Sequence, residues 1–242
     1  VVSLNAPGFI GNRMLLGYSK QANMLLLEGA LPSQIDNAIE AFGLNMGPFR
    51  MMDLIGLDLG WRARKLAGVD SPLTNKIADT LCENERFGQK NSKGFYNYSE
   101  GSRAPNPAPE NEEIYFKISE ENGFTRREIS DEEIVDRCIL ALVNEGAKIL
   151  EEGVAQRASD MDIVYINGYG FPVWRGGPMF YANSLGLDKV LEKLKGFQEI
   201  DSDFWKPADL LEKLAKDELK FGEAPDINER KGKMKFPDIV GY

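Results

Sequence analysis

Apolar positions along the chain recur at spacings of three and four, the signature of helices that bury one face. The clearest run is Met14, Leu15, Tyr18, Ala22, Leu25 and Leu26, closed by Glu28-Gly29, where glycine suits a left-handed C-cap. One offset superposes Asn12-Arg13 on Asp136-Arg137. It carries the same face onto Cys138, Ile139, Leu142, Gly146, Ile149 and Leu150, and the end onto Glu152-Gly153. A slightly larger offset then aligns Gly47-Pro48 with Gly177-Pro178 and Gly56-Leu57-Asp58 with Gly186-Leu187-Asp188. Two anchors sharing one shift point to an internal duplication of a helical unit.

The junction between the copies is visible in composition. Residues 99–113 run SEGSRAPNPAPENEE, with three prolines and no apolar period, which predicts a linker. This divides the chain into 1–98, a linker at 99–113, and a second copy at 114–242. Ser130 and Glu133 form a capping-box pattern at the start of the second long helix. Pro32-Ser33 opens a helical stretch that Gly43 closes, and Pro207 opens another. The only strand candidate is FYNYS at 95–99, so an all-α fold is expected.

Composition narrows the chemistry. The 242 residues are 43% hydrophobic and 28% charged, ordinary for a globular protein. No apolar stretch approaches the ~18–20 residues that cross a bilayer, so no membrane insertion is expected. No basic flank leads into an apolar signal core, so no secretory signal is expected. A net charge of −9 argues against nucleic acid as a partner. The basic cluster Arg230, Lys231, Lys233 and Lys235 reads as solvated surface. Two separated cysteines, Cys82 and Cys138, exclude a disulfide scaffold or a CxxC metal cluster and favour a reduced setting. There is no histidine at all, which excludes a Ser-His-Asp or Cys-His system within this chain. Any general base near neutral pH would come from elsewhere.

The ordered motifs carry a resemblance. Pro7-Gly8-Phe9-Ile10-Gly11-Asn12-Arg13 precedes Glu28-Gly29-Ala30, Ile35-Asp36, Met46-Gly47-Pro48-Phe49, Asp53-Leu54-Ile55-Gly56-Leu57-Asp58, Arg86-Phe87-Gly88-Gln89-Lys90 and Lys93-Gly94-Phe95-Tyr96. Each fragment is weak alone; in this order the set resembles the C-terminal domain of L-3-hydroxyacyl-CoA dehydrogenases. Tyr169-Gly170-Phe171-Pro172 and Arg175-Gly176-Gly177-Pro178-Met179-Phe180-Tyr181 resemble the last domain of multifunctional β-oxidation proteins, especially the peroxisomal type. The likeness covers nearly the whole chain, weakening in the linker and after about Lys220.

The resemblance implies tandem helical domains of the 6-phosphogluconate dehydrogenase C-terminal-like fold. It implies an acyl-CoA substrate, oxidation of 3-hydroxyacyl-CoA to 3-ketoacyl-CoA, and NAD bound by a preceding Rossmann domain with a GxGxxG loop. A hydratase domain would lie further upstream, and the compartment would be the peroxisome, otherwise mitochondrion or cytoplasm. The family's catalytic His–Glu pair also lies in the preceding domain, which agrees with the missing histidine. Residue 1 is therefore expected to fall at a fragment boundary, and the chain to be inactive alone. Lys216-Asp217-Glu218-Leu219 is not a terminal retention signal, and Val240-Gly241-Tyr242 is not an SKL-type signal.

Asn12 aligns with the family's active-site asparagine, where a neutral carboxamide can donate to the substrate's 3-oxygen. Asparagine is equally favoured as a helix N-cap. The second copy has Asp136 at this register, which suits one active and one supporting unit. Arg13 and Arg137 occur in both copies and read as structural, holding a helix end or a carboxylate. The two Gly-Pro pairs read as turn devices. Arg86, Lys90 and Lys93 could meet CoA phosphates or serve the loop's own structure, and Ser92 stands where the family has glycine. Cys138 reads as buried and inert, and Trp174-Arg175 with the run at 179–182 as core or interdomain packing. Two other readings stay open: a non-catalytic helical interaction module, and the helical domain of a small-acid or opine-type dehydrogenase. Duplicated halves that bury one another favour a monomer.

Overall fold

The computed structural model describes residues 1–224; the basic cluster at 230–235 and the chain's last residues lie outside them. The chain is all-α, as its periodicity predicts. It runs through α1 (Gly11–Glu28), α2 (Pro32–Phe42), α3 (Pro48–Ile55), α4 (Asp58–Ala67), α5 (Lys76–Glu83), α6 (Glu112–Glu121) and α7 (Asp131–Glu151). It continues through α8 (Ala158–Gly168), α9 (Pro178–Leu185), α10 (Leu187–Phe197) and α11 (Asp209–Lys216). The strand candidate shrinks to an antiparallel pair of two-residue strands, β1 (Asn97–Tyr98) and β2 (Pro105–Asn106).

The described residues pack as two compact units, Ser19–Arg137 and Val1–Tyr18 with the described residues from Cys138 onward. These units do not follow the repeat boundary read from the sequence. Each of the long helices α1 and α7 gives its first turns to one unit and the rest to the other. Each unit holds one of the arginines shared by the two copies. Within Ser19–Arg137, Arg137 is fully buried and forks onto both oxygens of Glu28, at 2.6 and 2.7 Å, while its Nε donates to Gln21 at 3.0 Å. Within the other unit, Arg13 donates through Nε to Glu145 at 2.6 Å and forks onto Glu152. The register that pairs Arg13 with Arg137 also pairs Gln21 with Glu145 and Glu28 with Glu152. Each arginine therefore bonds to the other copy's helix.

Ser19–Arg137 has its core around Ile35, Phe49, Leu81, Phe95 and Tyr115, with the Phe49 and Phe95 rings 4.6 Å apart. Two buried carboxylates organise it. Asp36 of α2, fully buried, accepts from the backbone N–H of Phe49 (2.9 Å) and Arg50 (3.0 Å) at the start of α3, and from Tyr96 Oη (2.6 Å). Asp53 of α3, also fully buried, accepts from the N–H of Phe95 and Tyr96 and from Tyr98 Oη at 2.9–3.0 Å. The expected linker is tied into this unit, since buried Asn111 donates to the carbonyls of Gly94 and Phe95.

The second unit repeats the first device. Asp162 of α8 accepts from the N–H of Met179 at 2.7 Å, at the start of α9. Its core gathers Tyr165, Phe171, Leu194, Trp205 and Leu211. The Gly-Pro pairs are thus helix starts and not turns: Pro48 and Pro178 occupy first helical positions, where a missing N–H costs nothing. The glycines give the carboxylates room. A Cβ at Gly47 would lie 2.4 Å from Asp36, and one at Gly177 2.4 Å from Asp162.

One further expectation is narrowed and another corrected. Trp174 is 71% exposed with Arg175 stacked over its ring at 4.2 Å, so it is no part of the core. The capping box at α7 is half formed: Ser130 Oγ accepts from the Glu133 N–H, but the Glu133 carboxylate pairs with Arg127 and Arg137 instead. A charged partner outcompetes a backbone N–H for a carboxylate. Cys138 and Cys82 are both buried, and desolvation pushes the Cys82 thiol up to about 12, out of the reactive range.

Replacing Arg137 by Met should lower the unfolding free energy by about 3 kcal/mol, the low end for a broken buried pair, because Glu28 would keep only Arg127, at 3.0 Å, as a charged partner. Adding Glu28→Leu should recover part of that loss, as read by urea denaturation. Burial pushes the Asp53 carboxyl from its ordinary 3.8 up to about 6. A raised folded value means stability present at low pH and lost as pH rises through about 6. The stability lost on Asp53→Asn should therefore be larger at about pH 5 than at about pH 7.5, and equal losses at both would show that Asp53 keeps its ordinary ionisation.

Candidate functional site

The approach to α1 is a tight turn over Pro7–Ile10, with Gly8 at φ +78° and Phe9 at φ +50°. Phe9 holds a left-handed conformation that non-glycine residues rarely adopt, and it is 55% exposed. The helix begins at Gly11, so Asn12 lies inside its first turn and is not the N-cap. Its side chain is exposed and engaged elsewhere: Tyr169 Oη donates to Asn12 Oδ1 at 2.7 Å. A carboxamide has one acceptor end and one donor end, so this contact leaves the NH2 group as the end that can donate.

Tyr169, just after α8, is held in turn by Tyr165. The two rings stack with centroids 4.8 Å apart and planes within 19°. Tyr165 Oη donates to the carbonyl of Gly11 at 3.0 Å, which ties the stack to the helix start. Burial raises the phenol pKa of both tyrosines, so each keeps its proton. Gly11 is what lets the ring approach, since a Cβ there would come within 2.4–2.6 Å of the Tyr169 ring and hydroxyl. In the sequence Gly11 and Tyr169 stand out only as motif letters. One clue to their contact is present there, a glycine directly preceding Asn12.

Arg86, Lys90 and Lys93 lie together on one loop of the Ser19–Arg137 unit, whereas Asn12 belongs to the other unit. Arg86 is buried, with Nε donating to Gly94 O at 2.9 Å, Nη2 to Asn97 Oδ1 at 2.8 Å, and Nη1 to Glu110 at 3.1 Å. Lys90 pairs with Asp58, and that hydrogen bond holds the Asp58 carboxyl below its usual value. Lys93 is exposed, and its backbone closes the loop onto Gly88. Ser92 stands at φ +62°, so the loop keeps the left-handed turn that glycine would supply more cheaply.

Among the described residues the only strands are β1 and β2, antiparallel and two residues long. No parallel strand delivers a glycine-rich turn to a helix N-terminus, the arrangement a pyrophosphate needs. Among the described residues no group of His, Cys, Asp and Glu could hold a metal ion, and no helix is long and apolar enough to cross a membrane.

A family model described as the 3-hydroxyacyl-CoA dehydrogenase C-terminal domain matches the chain twice, at residues 8–98 and 134–225. The chain belongs to that family and carries its domain in duplicate. It is 44% identical over 87% of its length to the peroxisomal bifunctional enzyme of Danio rerio, and 43% identical over 89% to that of Homo sapiens. It is also 34% identical, over 90% of its length, to a peroxisomal fatty acid beta-oxidation multifunctional protein of Oryza sativa. The chain spans about a third of these relatives, 31–32% of their length. Among solved structures, the dehydrogenase part of multifunctional enzyme 1 from C. elegans matches with a TM-score of 0.70 at 32% identity, covering 86% of this chain and 48% of that one. The 3-hydroxybutyryl-CoA dehydrogenase of Escherichia coli shares the fold, with a TM-score of 0.65 at 21% identity over 88% of this chain and 60% of that one.

Arg86→Ala should cost about 2 kcal/mol of unfolding free energy, because the acceptors it serves lose a buried charged donor. Lys93→Ala should leave the denaturation midpoint unchanged.

Proposed function

We propose that this chain is the substrate-side part of an NAD-dependent L-3-hydroxyacyl-CoA dehydrogenase of fatty-acid β-oxidation, peroxisomal, acting within a hydratase/dehydrogenase chain. The two family matches and the peroxisomal names of its relatives support this reading. In it, residues 1–98 and 114–242 are the tandem copies, and Asn12 is the catalytic residue this chain supplies. The observation that carries the role is that Asn12 is exposed at the first turn of α1 and does not cap it.

NAD, bound by a preceding Rossmann domain, would accept the hydride from C3 of the substrate. The proton of the 3-hydroxyl goes to a base, and with no histidine in this chain that base comes from outside it. What Asn12 does is hold the 3-oxygen. Its NH2 donates to the oxygen as the C–O bond gains ketone character, and being neutral it does not compete for the proton. Asp136 at the matching register of the second copy has no such donor, so one copy acts and the other supports it.

On the loop, Lys93 is the better candidate to meet CoA phosphates. Lys90 is paired with Asp58, and Arg86 has its donors committed within the fold.

The test is turnover of acetoacetyl-CoA and NADH by the full-length protein. Asn12→Ala should lower kcat by about a hundredfold, the size of losing one such donor, with the fold intact by circular dichroism. Wild-type turnover in that variant would remove Asn12 from the mechanism. A full-length protein without dehydrogenase activity would favour a helical interaction module that has kept only the fold.

A further inference from the structure

The contact between Tyr169 and Asn12 has a consequence for catalysis that belongs to the second copy. A free asparagine side chain can present either end of its amide to a substrate oxygen, and only the NH2 end stabilises it. Tyr169 biases that choice, because a phenol oxygen conjugated to its ring donates more strongly than it accepts. Its hydroxyl, a donor whose proton is retained, occupies Oδ1 at 2.7 Å. The opposite flip would set the NH2 group against the phenol oxygen and turn the carbonyl toward the substrate.

The tyrosine is itself positioned by three independent features. Its ring lies on Tyr165 at 4.8 Å, Tyr165 is tied to the Gly11 carbonyl at 3.0 Å, and Gly11 has no side chain to displace the ring. The duplication supplies a natural comparison. The register that aligns Asp36 with Asp162 also aligns Gly43 with Tyr169, and Asn12 aligns with Asp136. Where the amide is missing, the tyrosine is missing too. The second copy is therefore more than a prop: it carries the group that orients the first copy's amide.

We propose that Tyr169 is a positioning residue for the dehydrogenase reaction, locking the Asn12 carboxamide with its NH2 toward the substrate's 3-oxygen; this rests on the catalytic reading of Asn12. The test is a double-mutant cycle in the full-length protein with acetoacetyl-CoA and NADH. Tyr169→Phe keeps the stack on Tyr165 and removes only the hydroxyl. It should lower kcat about tenfold, the scale of one lost hydrogen bond, with KM and the unfolding midpoint unchanged. Adding it to Asn12→Ala should produce no further loss, since the group it orients is gone. Gly11→Ala, which crowds the ring, should reproduce the kcat loss and likewise vanish in the Asn12→Ala background.

If Asn12→Ala turns over normally, the underlying reading fails and this one with it. If Asn12→Ala is impaired but Tyr169→Phe has wild-type kcat, the positioning role alone is overturned. The positioning role is also overturned if the two losses multiply in full, or if Tyr169→Phe raises KM at constant kcat.

Discussion

The structure depends on two arginines that bond across a duplication. Arg137 of α7 grips Glu28 and Gln21 of α1 in one compact unit, and Arg13 of α1 grips Glu145 and Glu152 of α7 in the other. The fork of a guanidinium matches a carboxylate in two parallel bonds, so the pairing specifies register as well as contact. The two sites differ in energy, because Arg137 has no solvent exposure while the Arg13 side chain keeps 20%. The first is a buried pair that cannot lose one member cheaply. The second is partly screened by water, and its worth lies more in fixing the start of α1, where Asn12 stands.

From that frame the buried aspartates follow. Asp36, Asp53 and Asp162 each accept backbone N–H groups at the start of a following segment, and burial pushes each carboxyl up to about 6. Backbone N–H donors lower these carboxyls less than burial raises them, so each stays above its ordinary value. They act as corner posts. Gly47 and Gly177 let the next helix come within reach of them.

The second copy contributes two side chains to the start of α1. Tyr165 of α8 and Tyr169 just after it give the helix start a hydrogen bond to the Gly11 carbonyl and one to Asn12 Oδ1. The first copy has no tyrosine at that place, since Gly43 stands at the corresponding register.

Much was legible in the residues themselves. Helical periodicity, the glycine ends of α1 and α2, the duplication and the motif order each follow from local rules: a buried face repeats every three or four residues, and a left-handed end selects glycine. Asn12 could be singled out by motif alone, and Arg13 and Arg137 by their recurrence. The tertiary structure decided what these side chains meet. That Asn12 is engaged by Tyr169 instead of capping its helix, that Arg86 is buried, that Trp174 faces solvent, and that each long helix is shared by two units all depend on partners far away in the chain. Periodicity records which face of an element is buried, whereas the partner across that face is chosen by packing among residues that sequence spacing does not relate.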